Sequence, residues 1–168
     1  LPSKHLFSWG LSVNIWVARE QRVKSNEIVT GRPPTSSVIL HGPVQDPWED
    51  TEVVMIREFR PNVNNADGMV CEPPGGSNFG DDRTPLSTAV DEVEQEVGLG
   101  IDPKRFLPVA DRQVMPTFST HRVAVYRVEL TAEEIASVDS SVRGVESEDE
   151  RTFPTVMKIR DILWGNRV

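Results

Sequence analysis

The run Val53-Val54-Met55-Ile56 in "TEVVMIREF" constrains the fold more than any other stretch, because it is apolar without a break. Side chains alternate across a strand, so a half-buried strand alternates in polarity, and an unbroken apolar run needs cover on both faces. A strand of this kind sits inside a layered structure. The rest of the chain supplies the layers. "LSVNIWVARE" and "RVKSNEIVTG" read as two early strands joined around Glu20 and Gln21, and "SSVILHG" reads as a third. "MVCE", "FLPVADRQV", "RVAVYRVEL" and "TFPTVMKI" continue the strand series, and the two-proline stretch "GPVQDPWED" is a loop.

The strongest helical signal is "TPLSTAVDEVEQEVGLG". Thr84 suits the N-cap, Pro85 the first helical position and Gly98 the C-terminal cap. Leu86, Ala89, Val90, Val93 and Val97 recur at helical spacing and form one stripe, while Thr88, Glu92, Gln95 and Glu96 project from another side. "TAEEIASV" opens with a capping box from Thr131 to Glu134, and "RDILWGN" is a short final helix. Strands mixed with a few helices over 168 residues predict one layered α/β domain. Within it, residues 1–35 form N-terminal strands and residues 36–168 form the core.

Composition limits the partners. A net charge of −8 disfavours a nonspecific binder of nucleic-acid backbones, which are gripped by clustered Lys and Arg. Gathered acidic groups can instead hold a divalent cation that receives a phosphate. The single cysteine, Cys71, rules out an internal disulfide and fits an intracellular, reducing compartment, either cytoplasm or organelle matrix. No apolar window reaches the roughly 18–20 residues of a membrane helix. Leu1 stands where a methionine would begin a nascent chain, as in a trimmed or processed form.

Glu72 to Gly100 resembles the Nudix box, G-x5-E-x7-R-E-U-x-E-E-x-G-U with U aliphatic. Glu92, Val93, Glu96, Gly98 and Leu99 fall on matching positions, with Gly76 as the opening glycine displaced by one inserted residue. Arg83, Asp91 and Gln95 stand where the pattern has Glu, Arg and Glu. "VVMIREFRP" and "CEPPGG" resemble the strand and turn that precede the box in the ADP-ribose/ADP-sugar pyrophosphatase branch. The resemblance implies the Nudix fold, a mixed β-sheet sandwiched between helices. It also implies a Mg²⁺ or Mn²⁺ cofactor, with Glu92, Glu96, Gln95, Gly76 and Glu72 as the metal set.

Residue chemistry supports part of that set. Glu92 and Glu96 lie one helical turn apart, so both carboxylates can reach one hard cation, and the Gly76 backbone carbonyl and Glu72 can complete the cluster. A glutamine at 95 offers an oxygen without the charge. Arg83 and Asp91 keep the separation of the family's Glu–Arg pair with its polarity reversed, which predicts a contact between them. Glu92, Glu96 and Glu150 are the catalytic candidates, Glu150 because the branch draws a glutamate from the loop before the last strand. Arg57, Arg60, Arg112, Gln113 and His121 are the substrate-binding candidates; for Arg57 and Arg60 the alternative is an ion pair with a carboxylate such as Glu58 or Glu72.

The resemblance implies hydrolysis of a phosphoanhydride in a nucleoside diphosphate linked to another group, either an ADP-sugar or a 5′-phosphorylated RNA end. The alternative is a degenerate domain that binds nucleotides or serves as a scaffold in a larger, RNA-processing assembly. A homodimer through the early strands is a further expectation, and a membrane partner is not expected.

Overall fold

The computed structural model describes residues 7–77, 82–144 and 151–165. Strands β1 (Trp9–Val17) and β2 (Arg22–Gly31) form an antiparallel ribbon of their own, turning at Gln21 in the left-handed region. The remaining strands are β3 (Thr35–His41), β4 (Glu52–Phe59), β5 (Met69–Glu72), β6 (Gly75–Ser77), β7 (Leu107–Gln113), β8 (Arg122–Glu129) and β9 (Thr152–Lys158). They make one seven-stranded sheet with the central order β5-β4-β3-β8-β7, β6 pairing β3 and β9 pairing β4. The β3–β8 pair is parallel and the others are antiparallel, so the sheet is mixed.

Strand β4 lies inside that sheet, with β9 along one side and β3 followed by β5 along the other. This explains its unbroken apolar run: Val53, Val54 and Ile56 are all buried. Val54 and Ile56 join Val38, Leu40 and Val128 in a core completed by Ala89, Val93 and Val97 of the acidic helix. Burying side chains of this size is worth roughly 1.5–3 kcal/mol each, so the apolar stripe holds the helix on the sheet. The opposite face is more open, with Ile39 and Phe59 exposed.

Three short α-helices accompany the sheet among the described residues: α1 (Pro85–Glu92), α2 (Ala132–Ser137) and α3 (Ile159–Trp164). Thr84 caps α1 as its sequence position predicts, accepting from the Ser87 backbone N–H, and Thr131 caps α2 in a reciprocal box with Glu134. No helix among the described residues is long and apolar enough to cross a membrane.

The acidic helix differs from the expected continuous α-helix in its second half. From Val93 to Val97 it widens into a π turn, which ends at Gly98 with φ 81°. Val93, Glu96 and Val97 are all buried on this stretch, so the one face that carries them toward the sheet holds a carboxylate among apolar side chains. Where the sequence predicts only a turn, at Gly75 and Gly76, the chain forms strand β6, because two glycines carry no side-chain signal for a strand. Here the missing side chains are what permits pairing: a methyl on Gly75 would overlap the Ser36 carbonyl oxygen.

Candidate active site

Strand β6 and the acidic helix bring two of the predicted carboxylates together. The backbone N–H of Gly75 donates to Glu96 Oε2 at 2.8 Å, and Glu96 is 1% exposed. Glu92 presses its carboxylate against Gly76, where a methyl group would overlap Oε1. Both acids therefore converge on one bend of the chain, from successive turns of one helix. Thr88 lies a turn ahead of Glu92, fully buried, with a hydroxyl that has no hydrogen-bond partner among the described residues.

The far end of the helix is pinned from outside. Gly144 donates its backbone N–H to the Gln95 carbonyl at 3.3 Å, and Arg143 exchanges backbone bonds with Thr152 at 2.9 and 3.0 Å. The Arg143 guanidinium lies over Gly98, where a side chain would collide with it. Gly98 thus meets two demands, a left-handed backbone and an open face. Gln95 is exposed, and no described contact joins its side chain to Glu92 or Glu96.

Arg83 donates to Asp91 at 2.9 Å, the contact predicted from the reversed pair. Each side chain is about 40% exposed, 42% for Arg83 and 40% for Asp91. Solvent therefore screens the pair, and it is worth at most about 1 kcal/mol.

Glu72 and Arg60 take each other as partners. Arg60 Nη2 and Nε both donate to Glu72 Oε1, the latter at 3.1 Å, while Nη1 donates to Glu58 Oε1 at 2.8 Å. Arg60 is thus a clamp across two carboxylates, as the ion-pair alternative for this residue has it. Arg57 pairs elsewhere, with Asp67 at 3.2 Å. Glu58 is a carboxylate partner that the ion-pair alternative names, and its burial on the helix side of β4 makes it the fixed end of the clamp.

The other candidates lie apart. Arg112, Val123, Thr35 and Ser77 occupy one row across β7, β8, β3 and β6. Three interstrand steps thus separate Arg112 from the residue after Gly76, about 14 Å. Gln113 donates to the Ser119 carbonyl at 2.7 Å and closes the β7–β8 loop. His121 Nε2 shares a hydrogen bond with Thr35 Oγ1 at 3.2 Å. Burial and then Arg32 push its pKa below the usual histidine value, opposed in part by the Pro33 backbone. Arg32, which sequence reasoning did not single out, donates to Ser77 Oγ at 2.5 Å beside the glycine bend. Glu150 lies outside the described residues.

The donor types suit a hard cation: the carboxylates of Glu92 and Glu96 lie against the adjacent glycines Gly76 and Gly75, where main-chain oxygens are also at hand. Among the described residues, however, no group of three or more His, Cys, Asp or Glu side chains is gathered for a metal. Glu72 is engaged by Arg60 and does not close the cluster. Compared with protein-family models and with curated proteins, the chain matches none.

Proposed function

We propose that the chain is a metal-dependent hydrolase of the Nudix type, cleaving a phosphoanhydride in a nucleoside diphosphate linked to another group, with ADP-ribose or another ADP-sugar as first substrate. The observation that carries this reading is the convergence of Glu92 and Glu96 on the Gly75–Gly76 bend, within a mixed sheet; the sequence of the preceding turn, "CEPPGG", resembles that of the ADP-sugar branch. Glu92 and Glu96 would hold Mg²⁺ or Mn²⁺ together with a main-chain oxygen of the bend. Bound there, the ion would polarise the phosphorus and lower the pKa of an attacking water. Glu96 is kept in place by Gly75 and Glu92 by its seat on Gly76, and the Arg60 guanidinium, shared by Glu58 and Glu72, would meet phosphate oxygens by giving up one of those acids.

The test is release of nucleoside monophosphate from ADP-ribose and related substrates with Mg²⁺ or Mn²⁺. Glu92→Gln and Glu96→Gln should each lower the rate about a hundredfold or more. The Glu96 change is informative because an amide oxygen can still accept from Gly75 N–H, so the charge is lost while the bond is kept.

A second reading, binding without turnover, is favoured by Glu72 being held by Arg60 and by the exposed Gln95. A wild-type chain that binds nucleotides yet is inert across the panel establishes that reading. A 5′-phosphorylated RNA end as ligand would show as affinity falling steeply with salt, whereas a small nucleotide gives a shallower slope.

A further inference from the structure

Arg60 occupies an unusual position for a phosphate-binding group, since two carboxylates already share it. Glu58 is only 8% exposed, whereas the Arg60 side chain is 43% exposed. The guanidinium is therefore anchored on a buried acid while part of the side chain faces solvent. Glu58 lies two residues beyond Ile56 on β4, and Glu72 lies directly opposite Ile56 on β5. Alternation along a strand puts Ile56, Glu58 and Glu72 on one face of the sheet. That face packs against Val93 and Val97, three residues before and one after Glu96, and Glu72 lies three residues before the Gly75 that holds Glu96. Glu58 and Glu72 thus lie with Arg60 on the side of the sheet that carries the helix of Glu92 and Glu96.

An anion approaching Arg60 meets that negative surround, and the guanidinium's own hydrogen bonds are committed to Glu58 and Glu72. Resting on the hydrolase reading above, we infer that Arg60 is an internal counter-ion for Glu72, exchanged when a divalent cation binds. Glu72 leaves Arg60 for the cation, and Arg60, still anchored by Glu58, turns its freed N–H groups to a phosphate. Cation and phosphate binding are then coupled through one ion pair, each strengthening the other by the same factor. Arg60 competes with the cation for Glu72, which makes it an opponent of metal binding and a partner of the phosphate.

Calorimetric titration of the full chain with Mn²⁺ alone, and with inorganic pyrophosphate in the presence and absence of Mn²⁺, separates these roles. Arg60→Gln should bind Mn²⁺ roughly fivefold or more tightly than wild type and lose pyrophosphate binding. Glu72→Gln should bind pyrophosphate without Mn²⁺ better than wild type does. Arg60→Lys keeps the charge but not the fork spanning two acids, so its Mn²⁺ affinity should fall between wild type and Arg60→Gln; it also serves if the glutamine variant fails to fold. Unchanged or weakened Mn²⁺ binding in both folded Arg60 variants overturns the exchange, and weakened binding would make Arg60 a support for Glu72. If Mn²⁺ uptake vanishes in Glu92→Gln but ignores Arg60, only the exchange falls. If the wild-type chain takes up no Mn²⁺, the hydrolase reading falls with it.

Discussion

At the scale of single residues, the site depends on what Gly76 lacks. The Glu92 carboxylate fills the space where a side chain would be, and the colliding atoms belong to the end of a flexible side chain rather than to backbone. Gly76→Ala can therefore fold by pushing Glu92 aside, whereas Gly75→Ala would strike the Ser36 carbonyl and the Ser37 backbone. The expected outcome for Gly76→Ala is a melting temperature close to wild type with Mn²⁺ affinity lowered about tenfold or more. Calorimetry and a thermal melt on the same sample check both halves. Equal Mn²⁺ affinity in the alanine variant would show that the position of Glu92 against the bend is irrelevant to the ion. The two acids themselves were legible in the sequence, because their spacing on a helix is set by the backbone. The Arg60–Glu58–Glu72 clamp was legible only as one of two choices, since pairing across β4 and β5 depends on a register that the local sequence does not print.

Among the elements, strands and caps followed from local chemistry. Thr84, Pro85 and Gly98 mark the limits of the acidic helix as they should, and β4 has the covered position its apolar run demands. The π turn was not legible, because apolar spacing of three and four residues reads as α-helix and carries no mark of a locally widened turn. The latch between β3 and the start of β8 gives a test at this scale. His121 joins Thr35 there, and burial followed by the Arg32 charge lowers the ring's pKa in the folded chain. Above about pH 6.5 the ring is neutral in both states. As pH falls below that value the unfolded chain takes the proton first, so stability drops until the folded ring is protonated too. Urea midpoints measured between pH 7.5 and 5 should fall for wild type and fall less for His121→Gln. Glu134, whose pKa is lowered first by its hydrogen bond to Arg105, loses its contribution at lower pH, starting near its ordinary value of 4.5. An identical decline in wild type and His121→Gln would show that the latch is not the titrating element.

For the whole molecule, the β1–β2 ribbon is the part least explained by the chain's own packing. It is attached to the body through Thr30, which donates its N–H to the Phe118 carbonyl and accepts from the Thr120 N–H, both at 2.8 Å. Beyond that attachment it carries exposed apolar residues, among them Trp16 at 55% and Val23 at 56%, which lie directly opposite each other across the ribbon. A two-stranded ribbon is marginal in water by itself. Paired Trp and Val side chains give an exposed apolar patch that a two-fold dimer would bury against its own copy. The net charge of −8 works against association, so the contact must be apolar and should tighten as salt screens the repulsion. Light scattering on the purified chain is therefore expected to give twice the 18.8 kDa chain mass, with the dimer favoured at higher salt. Trp16→Glu combined with Val23→Lys should yield a monomer that keeps the cooperative melt of the seven-stranded body, since neither residue contributes to its core. A wild-type chain that stays monomeric at high concentration and high salt would remove self-association as the purpose of the ribbon and leave its apolar pair to another partner.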